Sequence, residues 1–238
     1  MGDELSFKEA ALVEPLGCVI HSMDMAERAS TRFDLFQEEP TGEAVENLLI
    51  LGAGPVGLLF LQYIRNVHQF KGQILIADSV QKKLDLAERL EATPLHTERN
   101  NLVNSVRERT DGKLIDFLVE ATGSGKAFEI IPKVLRKQAT VLLYGHGHRG
   151  TDLSVLNNLL FLEPTLVASV GASGSLDPQT HRPLTFLRSE KLIRTGKIKV
   201  NPLITHQYHA LEEVEQAFRE DSKKPDYIKG ILAFGSAL

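Results

Sequence analysis

Residues 47–64 join the apolar run NLLIL to the turn GAGPVG at 52–57 and then to a second apolar run, LLFLQYI, whose rhythm is helical. A strand that is apolar at every position has to be covered on both faces. A glycine-rich turn that leads from such a strand straight into a helix leaves few folds open. Comparable β-rich runs recur as QILIAD at 73–78, IDFLVEA at 115–121, ATVLLYG at 139–145 and TLVASVG at 165–171. Each is followed by a Gly-containing or polar turn, and most by a helical pattern.

This alternation predicts an α/β fold: a doubly wound parallel sheet of the Rossmann type, with an N-terminal linking helix and a C-terminal helix–strand tail. Crossover helices are expected at 55–68, at 80–90 with Val80, Leu84, Ala87 and Leu90 on one face, and at 127–135 through Phe128, Ile131 and Leu135. A short strand at 94–96 and a polar helix at 102–109 complete the first half. A helix at 183–197, with Leu184, Leu187, Leu192 and Ile193 as its apolar positions, is expected to cover the sheet. A helix at 211–219 and a strand at 228–234 close the chain. Residues 28–46, polar and carrying Pro40 and Gly42, read as a connection. The organisation is then 1–45 helical segment and connection, 46–199 dinucleotide-binding domain and 200–238 tail.

A formal charge of -4, with Lys and Arg scattered along 238 residues, leaves no basic field for nucleic acid. The single cysteine, Cys18, excludes an internal disulfide framework and fits a reducing compartment. No segment approaches the roughly 18 apolar residues of a membrane span, and the N-terminus lacks the pattern of a signal peptide. The expected location is the cytoplasm, with no membrane partner.

In GAGPVG, Gly52 permits the tight turn, Gly54 removes the side chain that would block a pyrophosphate, and Gly57 lets the helix pack on the sheet. Pro55 suits the first helical turn, and with Val56 it opens a helix whose free N–H groups face the phosphates. Asp78, 26 residues after Gly52 and followed by Ser79, ends the second strand, where an acid can accept both hydroxyls of the adenosine ribose. Its charge opposes a 2′-phosphate, which favours NAD over NADP. The alternatives are that GAGPVG is only a tight strand-to-helix turn and that Asp78 caps the next helix.

AALVEPLGCVIHS at 10–22, LLILGAGPVGLL, DSVQKKLDLAERLEA at 78–92, FLVEATGS at 117–124 and PLITHQYHALEEVEQAF at 202–218 follow one another in a family order. The chain resembles the medium-chain, zinc-type alcohol dehydrogenases, above all their polyol and threonine dehydrogenase branch, over nearly its whole length. The resemblance implies that Lys83 reaches the adenosine ribose, that Ala121, Thr122 and Gly123 line the adenosine side, and that Gly145 sits near the nicotinamide ribose. It places Val170, Gly171 and Ala172 at the nicotinamide end, and a homodimer interface along 153–173.

Those enzymes hold a catalytic zinc in an N-terminal GroES-like barrel, and many carry a four-cysteine zinc lobe. Neither site can be assembled from these residues, so no metal is expected in this chain and zinc belongs to the intact parent enzyme. Glu14, in EPLGCVIH, matches the acid that faces the catalytic zinc and is the one catalytic candidate; as a lone carboxylate it can equally be a Glu before Pro15 at a helix irregularity. The chain is expected to bind NAD without turnover, as the cofactor half of an enzyme moving a hydride between a secondary alcohol and NAD. A free-standing module that senses cofactor or pairs with a separate GroES-like half is the alternative, and a zinc-independent quinone-type reductase a weaker one.

His146 and His148 in YGHGHRG read as a solvated loop, because no acid or thiol is spaced to complete a metal site. His206 and His209 read as structural. No G-x-S-x-G elbow is present, which speaks against a hydrolase.

Overall fold

A computed structural model describes residues 5–36, 43–172 and 174–233. Its centre is a six-stranded parallel sheet built from β1 (Asn47–Leu51), β2 (Gln73–Asp78), β3 (Thr93–His96), β4 (Ile115–Glu120), β5 (Leu135–Leu143) and β6 (Thr165–Ala168), in the order β3-β2-β1-β4-β5-β6. This is the doubly wound order, in which the winding reverses between β1 and β4 and opens a crevice at their carboxyl ends.

The all-apolar strands are explained by burial on both sides. Successive residues of a strand point to opposite faces, so Leu48 and Ile50 join one core and Leu49 and Leu51 the other. The first core is closed by α1 (Val13–Glu27), through Leu16, Val19, Ile20 and Met23, and by α2 (Pro55–Gln62). The second gathers Leu102 and Val106 of α4 (Leu102–Arg109), Ile131, Val134 and Leu159 of α5 (Val155–Leu162). Between β2 and β3, α3 (Gln81–Arg89) buries Leu84, Leu86 and Ala87.

Four expectations change. The helix expected at 127–135 is instead two single turns, Gly125–Phe128 and Ile131–Val134, because Pro132 has no N–H to continue a helix, and Leu135 already opens β5. That strand starts before ATVLLYG through an irregular register beside Ile115, with Gln138 at φ 63°. The helix after Pro55 finishes as a π-helical turn, Tyr63–Val67. In α6 (Leu184–Arg194) the buried residues are Thr185, Ser189 and Ile193, while Leu184 is exposed. Small polar side chains suit that face because α6 packs mainly on α1, beside Gly17, and their hydroxyls are bonded to the carbonyls of Ala172 and Thr185 at 3.2 and 2.8 Å.

Within the connection Phe33–Asp34 pairs with Glu43–Ala44; Pro40 and Gly42 lie outside the described residues. Fully buried Asp116 accepts the Glu46 and Asn47 N–H groups at 2.8 and 3.0 Å and meets Arg136 Nη1 at 3.1 Å. The Arg136 and Arg32 guanidinium groups lie 4.6 and 5.0 Å from the Phe33 ring centre, pinning the connection to the amino end of the sheet. In the tail, β7 (Ile204–Tyr208) pairs with β8 (Lys229–Leu232), and α7 (Glu213–Arg219) lies between them in sequence.

One half-buried base has a consequence for stability. His68 sits between the Phe36 and Tyr63 rings, 5.0 and 5.1 Å between centres, and its Nε2 has no hydrogen-bond partner among the described residues. Burial holds its imidazole below the ordinary value of 6.5. Below about pH 6.5 the unfolded chain therefore binds more protons than the folded one, so this contribution to stability is complete above that pH and is lost as the pH falls. Urea midpoints measured from about pH 8 to about pH 5 are expected to fall less steeply in His68→Phe than in the wild type; equal slopes would show that His68 protonates as readily in the folded chain.

Candidate functional site

The turn after β1 departs from ordinary backbone where its glycines demand it. Gly52 lies at φ 99°, in the region that favours glycine, and its N–H donates to the Ala77 carbonyl at 2.8 Å. A Cβ on Gly57 would stand 1.9 Å from the Gly52 carbonyl oxygen, so helix and turn are in backbone contact. A Cβ on Gly54 would meet nothing within 4 Å, which leaves open space over the turn. Pro55 begins α2, where no N–H is required, and the Val56 and Gly57 N–H groups have no partner inside the helix.

The Asp78 carboxylate bridges two backbones. Oδ2 accepts the Ala53 N–H at 2.8 Å and Oδ1 the Val80 N–H at 2.9 Å, so this side chain both ties β2 to the glycine turn and shapes the entry to α3. Each oxygen keeps a second lone pair for a ligand. A cavity of about 500 Å³ opens here, lined by residues that include Gly52, Asp78, Ser79, Thr97, Glu98 and Thr122. All of these lie at or just after the carboxyl ends of β1, β2, β3 and β4, and Gly52 and Thr122 flank the point where the winding reverses.

The turns after β4 and β5 are packed on one another. Gly123, at φ 67°, would place a Cβ 2.3 Å from the His146 carbonyl oxygen, and one on Gly145 would lie 2.2 Å from Glu120 Oε2. Ala121 continues the sheet by donating to Leu51 at 3.0 Å. Thus Gly52, Gly54, Pro55, Val56, Gly57, Asp78, Ser79, Ala121, Thr122, Gly123 and Gly145 gather at one end of the sheet. Lys83 stands in α3 and is absent from the cavity lining. Val170, Gly171 and Ala172 follow β6, with Val170 largely exposed and the Ala172 carbonyl held by Thr185 against α6.

Glu14 lies exposed in the first turn of α1, with Pro15 next in the same turn, just after a break at residues 11–12 that separates α1 from the single helical turn Phe7–Ala10. Its Oε1 accepts from Cys18 Sγ at 3.2 Å. Burial first, and the neighbouring Glu14 second, push the Cys18 thiol up to about 11, which makes it a poor nucleophile; burial also raises the Tyr144 hydroxyl beside it.

Sequence reasoning missed Thr97, Glu98, Ser124 and Lys126, all in the cavity wall, and Glu120. It also misjudged His148, whose Nε2 lies 2.8 Å from Glu120 Oε2 and whose ring packs edge-on against Phe128. The acid that no spacing suggested comes from β4, and the signal for it was a charged residue closing the apolar run Phe117–Val119. Among the described residues no group of three His, Cys, Asp or Glu side chains could hold a metal ion.

The family model described as the glucose dehydrogenase C-terminus matches residues 8–234. The chain belongs to that family. It is therefore a member of the medium-chain, zinc-type alcohol dehydrogenase superfamily and corresponds to its C-terminal, nucleotide-binding half. L-threonine 3-dehydrogenase of Pyrococcus furiosus is 25% identical over 192 residues, covering 76% of this chain and 52% of the relative. D-arabitol-phosphate dehydrogenase of Enterococcus avium is 27% identical over 221 residues, covering 91% and 55%. The chain thus spans about half the length of the curated relatives it matches. Two solved structures share the fold of this glucose dehydrogenase C-terminus chain: an alcohol dehydrogenase from E. coli CFT073 complexed with NADH (TM-score 0.74, 18% identity, 98% of this chain and 61% of that one) and a zinc-binding dehydrogenase from Sinorhizobium meliloti 1021 bound to NADP (TM-score 0.70, 19% identity, 93% and 58%).

Proposed function

We propose that this chain is the NAD-binding half of an alcohol or polyol dehydrogenase that moves a hydride between a secondary alcohol and NAD. The observation that carries the reading is the Asp78 carboxylate, fixed by two backbone N–H groups, beside a glycine turn with open space over Gly54. The bound dinucleotide supplies the hydride acceptor. The chain holds it: the amino end of α2 faces the diphosphate, Asp78 accepts the adenosine ribose hydroxyls, and the 121–123 turn with Ser79 and Lys83 borders the adenosine. Gly145 and residues 170–172 border the nicotinamide end. The negative charge of Asp78 disfavours a 2′-phosphate, which makes NAD the preferred cofactor.

Zinc does not fit the residues present: Glu14 has Cys18 beside it but no third ligand among the described residues, so no step is assigned to a metal here. A GroES-like catalytic half, joined to this chain or separate, would supply the activation of the alcohol. Exposed Leu211 and Phe218 in the 200–238 tail support docking of such a half, against a 46–199 domain that carries the cofactor. Along the sheet edge, Leu160, Phe161 and Leu166 are exposed beside the unpaired side of β6, which supports a homodimer through 153–173. No helix among the described residues is long and apolar enough to cross a membrane, and the buried free thiol of Cys18 supports a cytoplasmic location.

Calorimetric titration tests the reading. NADH is expected to bind saturably and about tenfold or more tighter than NADPH, a difference of about 1.4 kcal/mol. The same preparation is expected to oxidise no secondary alcohol. Absence of NADH binding would overturn the cofactor assignment, and turnover would overturn the division of labour between the halves.

A further inference from the structure

Glu120 ends β4 fully buried, yet its carboxylate meets more partners than a structural turn needs. Oε1 accepts the Thr122 N–H at 2.8 Å, the Thr122 hydroxyl and the Gly123 N–H at 3.1 Å, while Oε2 faces His148 Nε2 at 2.8 Å. The carbonyl of the same residue accepts the Tyr144 and Gly145 N–H groups at 3.0 and 2.8 Å. From the other side, the His148 N–H donates to the Gly123 carbonyl at 2.7 Å, and Thr151 Oγ1 donates to the His148 carbonyl at 2.9 Å. The Phe128 ring, 5.3 Å from the imidazole between centres, keeps the histidine over the carboxylate.

We propose that the Glu120–His148 pair is a clasp that fixes the turn after β4 to the loop after β5 and thereby positions Thr122 and Gly123 for the dinucleotide. The inference rests on the cofactor reading above for its functional consequence, and on these contacts for the clasp itself. Neither residue touches the ligand in this account; both are positioning residues acting through Thr122, which lines the cavity. The pair joins two loops that must hold still together, since Gly123 and Gly145 leave the backbone between them without side chains to brace it. The contact needs the tautomer in which Nε2 carries the proton. Glutamine can place an amide N–H in about the same position, and alanine cannot.

The test uses the full chain and two readouts. In NADH titrations His148→Ala is expected to bind about tenfold more weakly than the wild type, the scale of one lost hydrogen bond to a charged group, and His148→Gln to recover most of that loss. In the absence of nucleotide, hydrogen exchange at the Thr122 and Gly123 amides is expected to speed up in His148→Ala and to return toward the wild-type rate in His148→Gln. Wild-type affinity in His148→Ala, or equal weakening in both variants, would overturn the clasp as a positioning device. If the wild type itself bound no NADH, the cofactor reading would fall, and the exchange rates alone would decide: unchanged rates in His148→Ala remove the clasp, and faster rates reversed by glutamine retain it as the link between the two loops.

Discussion

Gly57→Ala is expected to disrupt the nucleotide turn, whereas Gly54→Ala is expected to leave the fold intact and remove dinucleotide binding. The two glycines are three residues apart, and their surroundings demand opposite outcomes. A methyl group on Gly57 would stand 1.9 Å from the Gly52 carbonyl oxygen, a backbone atom that can yield only if β1 and α2 separate. Overpacking of that kind costs about 3 kcal/mol or more, a large fraction of the ~5–15 kcal/mol that holds an ordinary domain together. At Gly54 the backbone has φ -70° and no heavy atom lies within 4 Å of the added methyl, so alanine is tolerated and can stabilise by about 0.5 kcal/mol through the unfolded chain. The same methyl would occupy the space where a pyrophosphate has to approach the backbone, and NADH affinity is expected to fall by at least about tenfold. Thermal unfolding together with NADH titration separates the effects. A Gly54→Ala protein that binds NADH normally would show that the diphosphate does not cross the turn.

The part of this molecule legible in its sequence is the part fixed by local pattern. QILIAD and the polar helix at 102–109 were read with the bounds they have in the structure, because the apolar run ILIA between polar ends states its burial directly and the neighbouring segment follows the alternation of strand and helix. The tight turn at Gly52 and the close helix contact at Gly57 were legible for the same reason: both are backbone demands that only one residue type meets. What escaped was decided by residues far apart in the chain. Glu120 and His148 are 28 positions apart and meet only because β4 and β5 are neighbours in the sheet. Thr97 and Glu98 join the cavity because β3 pairs with β2, which brings the polar turn after a four-residue strand beside Asp78. The 127–135 segment failed for a local reason that was visible: Pro132 forbids the continuous helix that Phe128, Ile131 and Leu135 suggest. In α6, apolar spacing pointed to the leucines, yet Thr185 and Ser189 are buried, because a helix that packs closely on another helix selects small side chains that can satisfy their own hydroxyls.

Asp78→Asn decides whether the acid at the end of β2 is a cofactor contact or only a structural bridge. As a bridge, its work is to accept the Ala53 and Val80 N–H groups. Asparagine keeps one carbonyl acceptor and loses the other, so the bridge alone predicts a stability loss of about 1 to 3 kcal/mol and equal effects on any nucleotide. As a cofactor contact, the carboxylate also accepts ribose hydroxyls and opposes a 2′-phosphate. Removing its charge is then expected to weaken NADH by about tenfold or more while NADPH weakens less or gains, so that the preference between them collapses. The ratio of the two affinities carries the decision, because any general loosening of the turn cancels in it. An unchanged ratio in a folded Asp78→Asn protein would reduce Asp78 to a link between β2, the glycine turn and α3, and would leave the choice of cofactor to other residues of the cavity, beginning with Glu98 and Lys126.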